Sequence, residues 1–166
     1  MPETRHEKIK IFTTGGSIDK IYDLQASDFL VGPPQIGDVL REANVTAQFD
    51  IEEFTRKDSL QLTDGERERL RQLVADEPAH RVVITHGTDT LHLTGQALSG
   101  IEGKVIVLTG AMRPASFKDT DAQFNVGCAV IAVQTLPEGV YVVMNGRVFD
   151  PFRIKKNTEF RRFEDV

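Results

Sequence analysis

A single cysteine, Cys128, is present in the sequence, so the chain cannot form an internal disulfide. Its small apolar neighbours predict a packing role on a buried helix face rather than a reactive thiol. No apolar run approaches the roughly 20 residues of a membrane span. The first ten residues are polar and charged, unlike the apolar core of a secretory signal. These absences predict a cytoplasmic protein that does not associate with membranes.

Neither sign of charge dominates, because 20 basic and 25 acidic residues leave a net charge of −5. The basic residues are scattered apart from one group near the end of the sequence, which comprises Arg153, Lys155, Lys156, Arg161 and Arg162. This balance argues against nucleic acid or a membrane surface as a partner. The histidines lack the spacing of a metal-ligand set, so we expect neither a metal nor another cofactor; they are His6, His80, His86 and His92.

With 166 residues and no visible repeat or linker, the chain has the length of one domain. Short β-rich apolar runs alternate with helical patterns, which is typical of parallel sheets built from βαβ units. We expect strands at residues 8–12, 81–85, 104–109 and 140–144 and another within 45–54, and helices at 36–43 and 121–134 and two that end near 76 and 98. The pattern predicts a single doubly wound α/β domain over residues 1–166, without a second domain. Its mostly parallel sheet would lie between helices on both faces, as in Rossmann-like or flavodoxin-like three-layer folds.

Two glycine-containing turns carry hydroxyl groups just after predicted strands, where open parallel sheets bind ligands. In Thr14-Gly15-Gly16-Ser17, the glycines let backbone N–H groups approach a ligand, although an ordinary glycine-rich turn has the same composition. A phosphate-binding turn is a further alternative, but the Lys-Ser/Thr ending of a P-loop is missing. In His86-Gly87-Thr88-Asp89-Thr90 a hydroxyl adjoins a carboxylate. Asp89 could simply cap the following helix, and we expect His86 to be a hydrogen-bonded structural residue.

Lys156 follows Asp150-Pro151, a pair that interrupts regular structure, and by default it would be a solvated surface lysine. A hydroxyl that cleaves an amide, however, needs a proton acceptor, and a nearby lysine amine can fill that role. Asp89 would then orient the lysine. This arrangement requires the turn after the third strand to meet the loop after the fifth, which the order of elements permits.

Three motifs in order and spacing resemble the bacterial-type L-asparaginase family over about residues 8–158. They are Thr14-Gly15-Gly16-Ser17-Ile18, His86-Gly87-Thr88-Asp89-Thr90 and Gly110-Ala111-Met112-Arg113-Pro114, and Val143-Met144-Asn145 is a further match. The length is similar to that of the short single-domain L-asparaginases, and the chain resembles the amino-terminal domain of the long enzymes. The resemblance implies hydrolysis of the side-chain amide of L-asparagine, or of L-glutamine, through a hydroxyl nucleophile and an acyl-enzyme.

Carried over by motif, the resemblance implies catalytic roles for Ser17, Tyr22, Thr88, Asp89 and Lys156. It implies substrate contacts for Gly16, Asp58, Ser59, Gly87 and Ala111. The family usually has threonine where this chain has Ser17, and serine lacks the methyl group that restricts the rotamers of threonine. The long relatives assemble their sites between subunits, so we expect a homo-oligomer. Residues 16–34, which we expect to be irregular, are predicted to act as a lid over the site.

Two other functions remain compatible with these residues. A noncatalytic amino-acid-binding module would retain the pocket, but it has no need of two hydroxyls and a lysine. A glutaminase or an amidotransferase-type amide hydrolase would use the same groups on a different amide.

Overall fold

A computed structural model describes residues 7–166, and the expectations for His6 and for most of the first ten residues lie outside this range. The strands are β1 (Ile9–Gly15), β2 (Lys20–Asp23), β3 (Asp28–Val31), β4 (Phe49–Lys57), β5 (Arg81–Thr85), β6 (Val105–Thr109), β7 (Gly139–Met144), β8 (Arg147–Phe149), β9 (Ile154–Asn157) and β10 (Arg162–Asp165). The α-helices are α1 (Ile36–Glu42), α2 (Asp64–Asp76), α3 (Leu91–Ala97) and α4 (Ala122–Thr135), and 3-10 helices span Ser17–Asp19 and Ser59–Gln61.

The main sheet has six strands in the order β4-β1-β5-β6-β7-β8, and only the β7–β8 pair is antiparallel. From β1 the chain moves to β4 on one side, then crosses back to β5 on the other side of β1. The sheet is therefore doubly wound, as predicted. Its strand order reverses between β1 and β5, and ligands of such sheets bind at this reversal, outside the carboxyl ends of the strands.

Two apolar layers hold the helices against the sheet. The first contains α1 and α4 residues packed on one sheet face, including Ile36, Leu40, Val126 and Val133 with Ile11 and Val83 of the sheet. The second contains α2 and α3 residues on the other face, including Leu70, Val74, Leu91 and Leu98 with Phe12 and Ile84. Because both faces are covered, β5 and β6 are apolar along their whole length rather than alternating. The predicted three-layer α/β fold is confirmed.

The expectation of an irregular segment over residues 16–34 was wrong. β2 and β3 form an antiparallel hairpin, hereafter the lid hairpin (residues 20–31), in which Tyr22 is opposite Phe29. Asp23 accepts a hydrogen bond from the N–H of Ala26 at 2.7 Å and so closes the turn. Ser27 takes a left-handed conformation there, with φ of 51°. The paired aromatic and β-branched residues favour this hairpin, but its short strands expose both faces to solvent.

Three further strands also escaped prediction near the end of the chain. Asn145 and Gly146, with φ of 54° and 73°, form a two-residue turn that leads from β7 into β8. An Asn-Gly pair of this kind is the preferred sequence for such a hairpin turn. β9 and β10 form a second hairpin, so the segment expected to be a loop around Lys156 is a strand. Among the described residues, no helix is both long and apolar enough to span a membrane.

Candidate active site

The turns after β1 and β5 touch each other at the point where the strand order reverses. A Cβ atom on Gly16 would lie 2.4 Å from the Cα and N atoms of Gly87, so only glycine fits. Gly15 and Gly16 also adopt φ of 102° and 85°, a region that side chains with a Cβ rarely enter. The two glycines therefore turn the chain abruptly at the sheet edge and direct it into the 3-10 helix that begins with Ser17.

Thr88, Asp89 and Lys156 form one connected group beside this contact. The Lys156 Nζ atom donates hydrogen bonds to Thr88 Oγ1 at 2.8 Å and to Asp89 Oδ1 at 2.6 Å. Thr88 is only 5% exposed, whereas the side chains of Lys156 and Asp89 are 24% and 43% exposed. The hydroxyl is thus mostly shielded from water and in direct contact with an amine, while the carboxylate borders solvent.

The hairpin of β9 and β10 carries Lys156 to this group. Lys156 is paired with Phe163 across the hairpin, and Phe163 is buried against Phe149 with ring centroids 6.5 Å apart. The N–H of Phe163 donates to Asn145 Oδ1 at 2.9 Å, which ties the hairpin to the turn after β7. The two elements that had to meet for this trio are therefore in contact.

A second group lies at the end of β4. The Asp58 carboxylate accepts from the N–H of Leu60 at 3.0 Å and lies 3.6 Å from the Lys20 ammonium on the lid hairpin. Ser59 is 4% exposed, and a Cβ on Gly87 would lie 2.6 Å from its Oγ atom. Asp58 and Ser59 are thus next to the Gly16–Gly87 contact, and Lys20 adds a cation that sequence reasoning missed.

His86 lies beneath the site and is completely buried. Its Nδ1 lies 2.9 Å from the carbonyl oxygen of Gly87 and its Nε2 lies 2.7 Å from Thr94 Oγ1, which also accepts from Arg67 Nε at 3.1 Å. Burial, together with the neighbouring Arg67 charge, lowers the pKa of His86 from 6.5 to about 4. The imidazole is therefore neutral near neutral pH and is hydrogen-bonded, as expected for a structural histidine.

The turn after β6 completes the floor of the site. The Asp121 carboxylate accepts from the N–H groups of Met112 and Arg113 at 2.9 and 3.0 Å. The Ala111 side chain is buried in the α1 and α4 layer, and this packing fixes the position of the Ala111 backbone. The same loop contacts the 3-10 helix that precedes the lid hairpin, because the N–H of Ala115 donates to the carbonyl oxygen of Ile18 at 2.9 Å.

Residues 8–164 match the protein family described as Asparaginase, N-terminal. The chain belongs to this asparaginase family. A glutamyl-tRNA(Gln) amidotransferase subunit of Methanococcus vannielii is 31% identical over 155 residues, or 87% of this chain and 35% of that protein. The glutaminase-asparaginase of Acinetobacter glutaminasificans is 34% identical over 122 residues, or 70% of this chain and 36% of that protein.

Solved asparaginases share the fold. L-asparaginase I from Vibrio cholerae superposes with a TM-score of 0.84 at 24% identity, covering 96% of this chain and 51% of its own. The probable cytoplasmic L-asparaginase from Campylobacter jejuni gives 0.74 at 28% identity, with the same coverage. This asparaginase-family chain spans about half the length of these structures, and about a third of the two sequence relatives.

Not every residue implied by the family resemblance lies in the connected group. Tyr22 is 51% exposed on the lid hairpin and packs edge-on against Phe29 at 5.4 Å. Within the described residues, neither the Tyr22 hydroxyl nor the Ser17 hydroxyl takes part in a side-chain hydrogen bond. Their catalytic roles stay predictions. Over residues 7–166, no three His, Cys, Asp or Glu side chains converge in a way that would hold a metal ion.

Proposed function

We propose that this protein hydrolyses the side-chain amide of L-asparagine to L-aspartate and ammonia through a hydroxyl nucleophile. The single observation that carries the proposal is the contact of Lys156 Nζ with both Thr88 Oγ1 and Asp89 Oδ1. A threonine hydroxyl is a weak nucleophile unless an adjacent base removes its proton, and an amine at hydrogen-bond distance is such a base. A lysine whose function was only to pair with Asp89 would have no need of a shielded hydroxyl on its other side.

In the proposed reaction Lys156 acts in its deprotonated form, so that its hydrogen bond with Thr88 runs from the hydroxyl to the amine. Thr88 Oγ1 attacks the amide carbon as its proton passes to Lys156 Nζ. The ammonium formed on Lys156 then returns a proton to the departing nitrogen, so the carbon–nitrogen bond breaks and ammonia leaves. A water molecule attacks the resulting ester and gives a proton to the same amine. The amine returns this proton to Thr88 Oγ1 as the ester bond breaks, so aspartate leaves and the hydroxyl is regenerated. Asp89 stabilises the ammonium during the first half of each step.

The groups at the end of β4 are suited to the amino-acid end of the substrate. Asparagine carries an ammonium and a carboxylate on the same carbon, and Asp58 and Lys20 offer opposite charges 3.6 Å apart. Ser59 adds a hydroxyl, and we expect the backbones of Gly16, Gly87 and Ala111 to contact the substrate between this pair and Thr88. We assign Ser17 and Tyr22, both within residues 16–34, to catalytic roles at the side-chain amide.

The test is ammonia release from asparagine and from glutamine by the purified chain. We expect asparagine to be the better substrate, and the Lys156→Met variant to lose turnover by about 10³-fold. Lys155→Met is the matched control, because Lys155 is the neighbouring exposed lysine on the same strand, and it should retain normal turnover. Binding of asparagine without ammonia release would identify a noncatalytic binding module instead.

A glutamine-directed activity is the second candidate, because the two sequence relatives are by name an amidotransferase subunit and a glutaminase-asparaginase. The same trio could cleave the longer amide if the distance from the Lys20–Asp58 pair to Thr88 suits one more methylene group. Faster ammonia release from glutamine than from asparagine would favour this candidate.

We further propose that residues 8–164 supply the whole catalytic trio without a second domain, metal or other cofactor, and that the protein is a cytoplasmic homo-oligomer. The trio comes from one chain, and its donor set of hydroxyl, amine and one carboxylate is not a typical metal site. Dialysis against a chelator should leave ammonia release unchanged. Sedimentation velocity should give a mass above that of one 18.5 kDa chain.

A further inference from the structure

Asp19 is a buried carboxylic acid that the proposed reaction does not use. It belongs to the same 3-10 turn as Ser17 and is only 1% exposed. Within the described residues it forms no ion pair within 4.0 Å. A buried carboxyl group without a paired cation costs folding free energy when it is charged.

Three hydrogen bonds connect Asp19 to both ends of the lid hairpin. At the entrance, its N–H donates to the carbonyl oxygen of Gly16 at 3.2 Å. At the exit, its carbonyl oxygen accepts from the N–H of Gly32 at 2.8 Å, and its Oδ1 accepts from the N–H of Gln35 at 2.9 Å. One residue therefore fastens the turn that carries Ser17 to the segment where the chain leaves the hairpin.

The packing at this junction is close. A Cβ atom on Gly32 would approach the Ile21 side chain to 2.8 Å and the carbonyl oxygen of Asp19 to 3.3 Å. The exit segment is thus pressed against the entrance turn, and the Asp19 side chain is enclosed between them. Charging this carboxyl group is most easily accommodated by opening the junction and letting water reach it.

The charges that face Asp19 come from β4. Burial has the largest effect and raises its pKa from 3.8 to about 7, the N–H of Gln35 lowers it, the Glu53 carboxylate raises it and the Arg56 guanidinium lowers it. On its own segment, the neighbouring Lys20 is directed to Asp58 rather than to Asp19. The closed junction therefore favours the neutral acid over the carboxylate.

We propose that Asp19 is a positioning residue whose neutral carboxyl group clamps the two ends of the lid hairpin and thereby holds Ser17 over the site. Ionisation loosens the clamp, because the open junction solvates the carboxylate. Because the pKa of Asp19 is higher in the closed junction than in the open one, its protonation stabilises the closed junction at low pH. This stabilisation is lost as the pH rises towards about 7. The clamp itself is independent of the catalytic proposal, whereas its kinetic consequence rests on that proposal.

Amide hydrogen exchange of the hairpin residues tests the clamp without any substrate. After correction for intrinsic rates, the wild-type amides of residues 20–35 should lose protection by at least about tenfold between pH 5 and pH 7.5. Asp19→Asn imitates the neutral acid and should stay protected throughout, and Asp19→Ala should be poorly protected throughout. Asp23→Asn removes a carboxylate from the exposed turn of the same hairpin and should follow the wild type. Unchanged β5 protection reports that each variant is folded.

The kinetic arm uses asparagine as the substrate. The KM of the wild type should rise several-fold from pH 5.5 to pH 8 as the lid loosens, while the KM of Asp19→Asn should stay nearly constant. A purely structural Asp19 would instead lower the melting temperature in both variants without changing the pH profile. Wild-type protection that is independent of pH, or an Asp19→Asn profile equal to that of the wild type, would overturn the clamp. No ammonia release at all would overturn the catalytic proposal and leave the exchange result standing.

Discussion

Thr88 and Ser17 carry the two candidate hydroxyl groups, and their surroundings differ. Thr88 is mostly buried and already touches the Lys156 amine at 2.8 Å. Ser17 is partly exposed at the start of the 3-10 turn, and in the proposed clamp its position depends on the lid junction. Under the proposed function we therefore expect Thr88 to be activated in the free protein, and Ser17 to become aligned only when the lid hairpin is closed.

Removing either side chain of the Thr88–Lys156 pair should have nearly the same effect. We expect Thr88→Val and Lys156→Met each to lower turnover by ~10³ or more, because a hydroxyl without its base and a base without its hydroxyl are equally inactive. The double variant should be little worse than either single one. Steady-state ammonia release measures all three, and multiplicative losses in the double variant would show that the residues act independently. Ser17→Ala should cause a loss of similar size without this coupling to Lys156.

His86 should make the free energy of unfolding fall in acid. Its pKa is about 4 in the folded state and 6.5 as a free side chain, so below pH 6.5 the unfolded chain takes up a proton that the folded chain refuses. Stability is therefore lost as the pH falls from about 6.5 to about 4, by roughly 3 kcal/mol. Urea unfolding of the wild type and of His86→Gln at both pH values measures it. The free energy of unfolding of the wild type should exceed that of His86→Gln by less in acid than near neutral pH. Asp19 titrates in the opposite direction in both proteins, so its contribution cancels in this difference.

Several contacts of single residues could not be predicted from the sequence. Asp19 follows a glycine-rich turn, where an aspartate is usually exposed to solvent. The neighbouring sequence does not indicate that Gly32 and Gln35 fold over it. Lys20 likewise meets Asp58 only through the hairpin. The contact between Thr88 and Lys156 spans 68 positions in sequence. It could be anticipated from the family resemblance but not from periodicity, because such long-range contacts depend on the whole topology.

At the scale of elements, prediction succeeded where a buried apolar pattern constrains the chain. β5, at Arg81–Thr85, was predicted at its observed bounds, and α4 within one or two residues. The Thr63-Asp64-Gly65-Glu66 sequence has the spacing of a capping box, and α2 begins with one, in which the N–H of Thr63 donates to Glu66 Oε2 at 2.9 Å. The lid hairpin and the β9–β10 hairpin were missed. Their strands of four residues are partly exposed and lack the periodic apolar face on which the prediction depended.

The lid hairpin should be held closed by an aromatic contact with the loop after β6. Phe29 packs between Tyr22 and Phe117, with ring centroids 5.4 and 5.3 Å apart, and Ser116 Oγ donates to the carbonyl oxygen of Lys20 at 3.2 Å. We expect Phe117→Ala to speed amide exchange of residues 20–31 by about tenfold, since an aromatic pair contributes roughly 1 kcal/mol beyond its burial. Adding aspartate, the expected product, should slow exchange in the wild type.

Phe152→Ala is the control for this experiment, because Phe152 is an exposed phenylalanine outside the hairpin and its contact loop. It should leave exchange of residues 20–31 unchanged. Equal exchange in Phe117→Ala and the wild type would mean that the backbone contacts alone hold the hairpin. Equal exchange with and without saturating aspartate would mean that the segment does not close over a ligand.

At the scale of the whole molecule, the distribution of charge matters more than its sum. The net charge is −5, and two of the five residues in the basic group near the end of the chain, Lys156 and Arg162, are paired with acids. Lys156 contacts Asp89 at 2.6 Å, Arg162 contacts Glu164 at 2.8 Å, and the nearby Arg147 contacts Asp165 at 2.5 Å. The β9–β10 hairpin has four basic residues and three acidic ones, so it presents little net positive charge to a polyanion.

We accordingly expect transfer RNA not to bind this chain, although one relative belongs to an enzyme named for glutamyl-tRNA(Gln). Binding driven by phosphate contacts has nonspecific dissociation constants of roughly 10⁻⁴–10⁻⁶ M and weakens steeply with salt. A mobility-shift titration in about 50 mM salt should show no complex below roughly 10⁻⁴ M, and added tRNA should not change ammonia release.

The matched variant is Glu164→Lys with Asp165→Lys, which removes the acids that pair with Arg162 and Arg147 and should create weak, salt-sensitive binding. Micromolar binding by the wild type, with the same steep salt dependence, would show that the β9–β10 hairpin does contact phosphates and would favour the amidotransferase-type candidate.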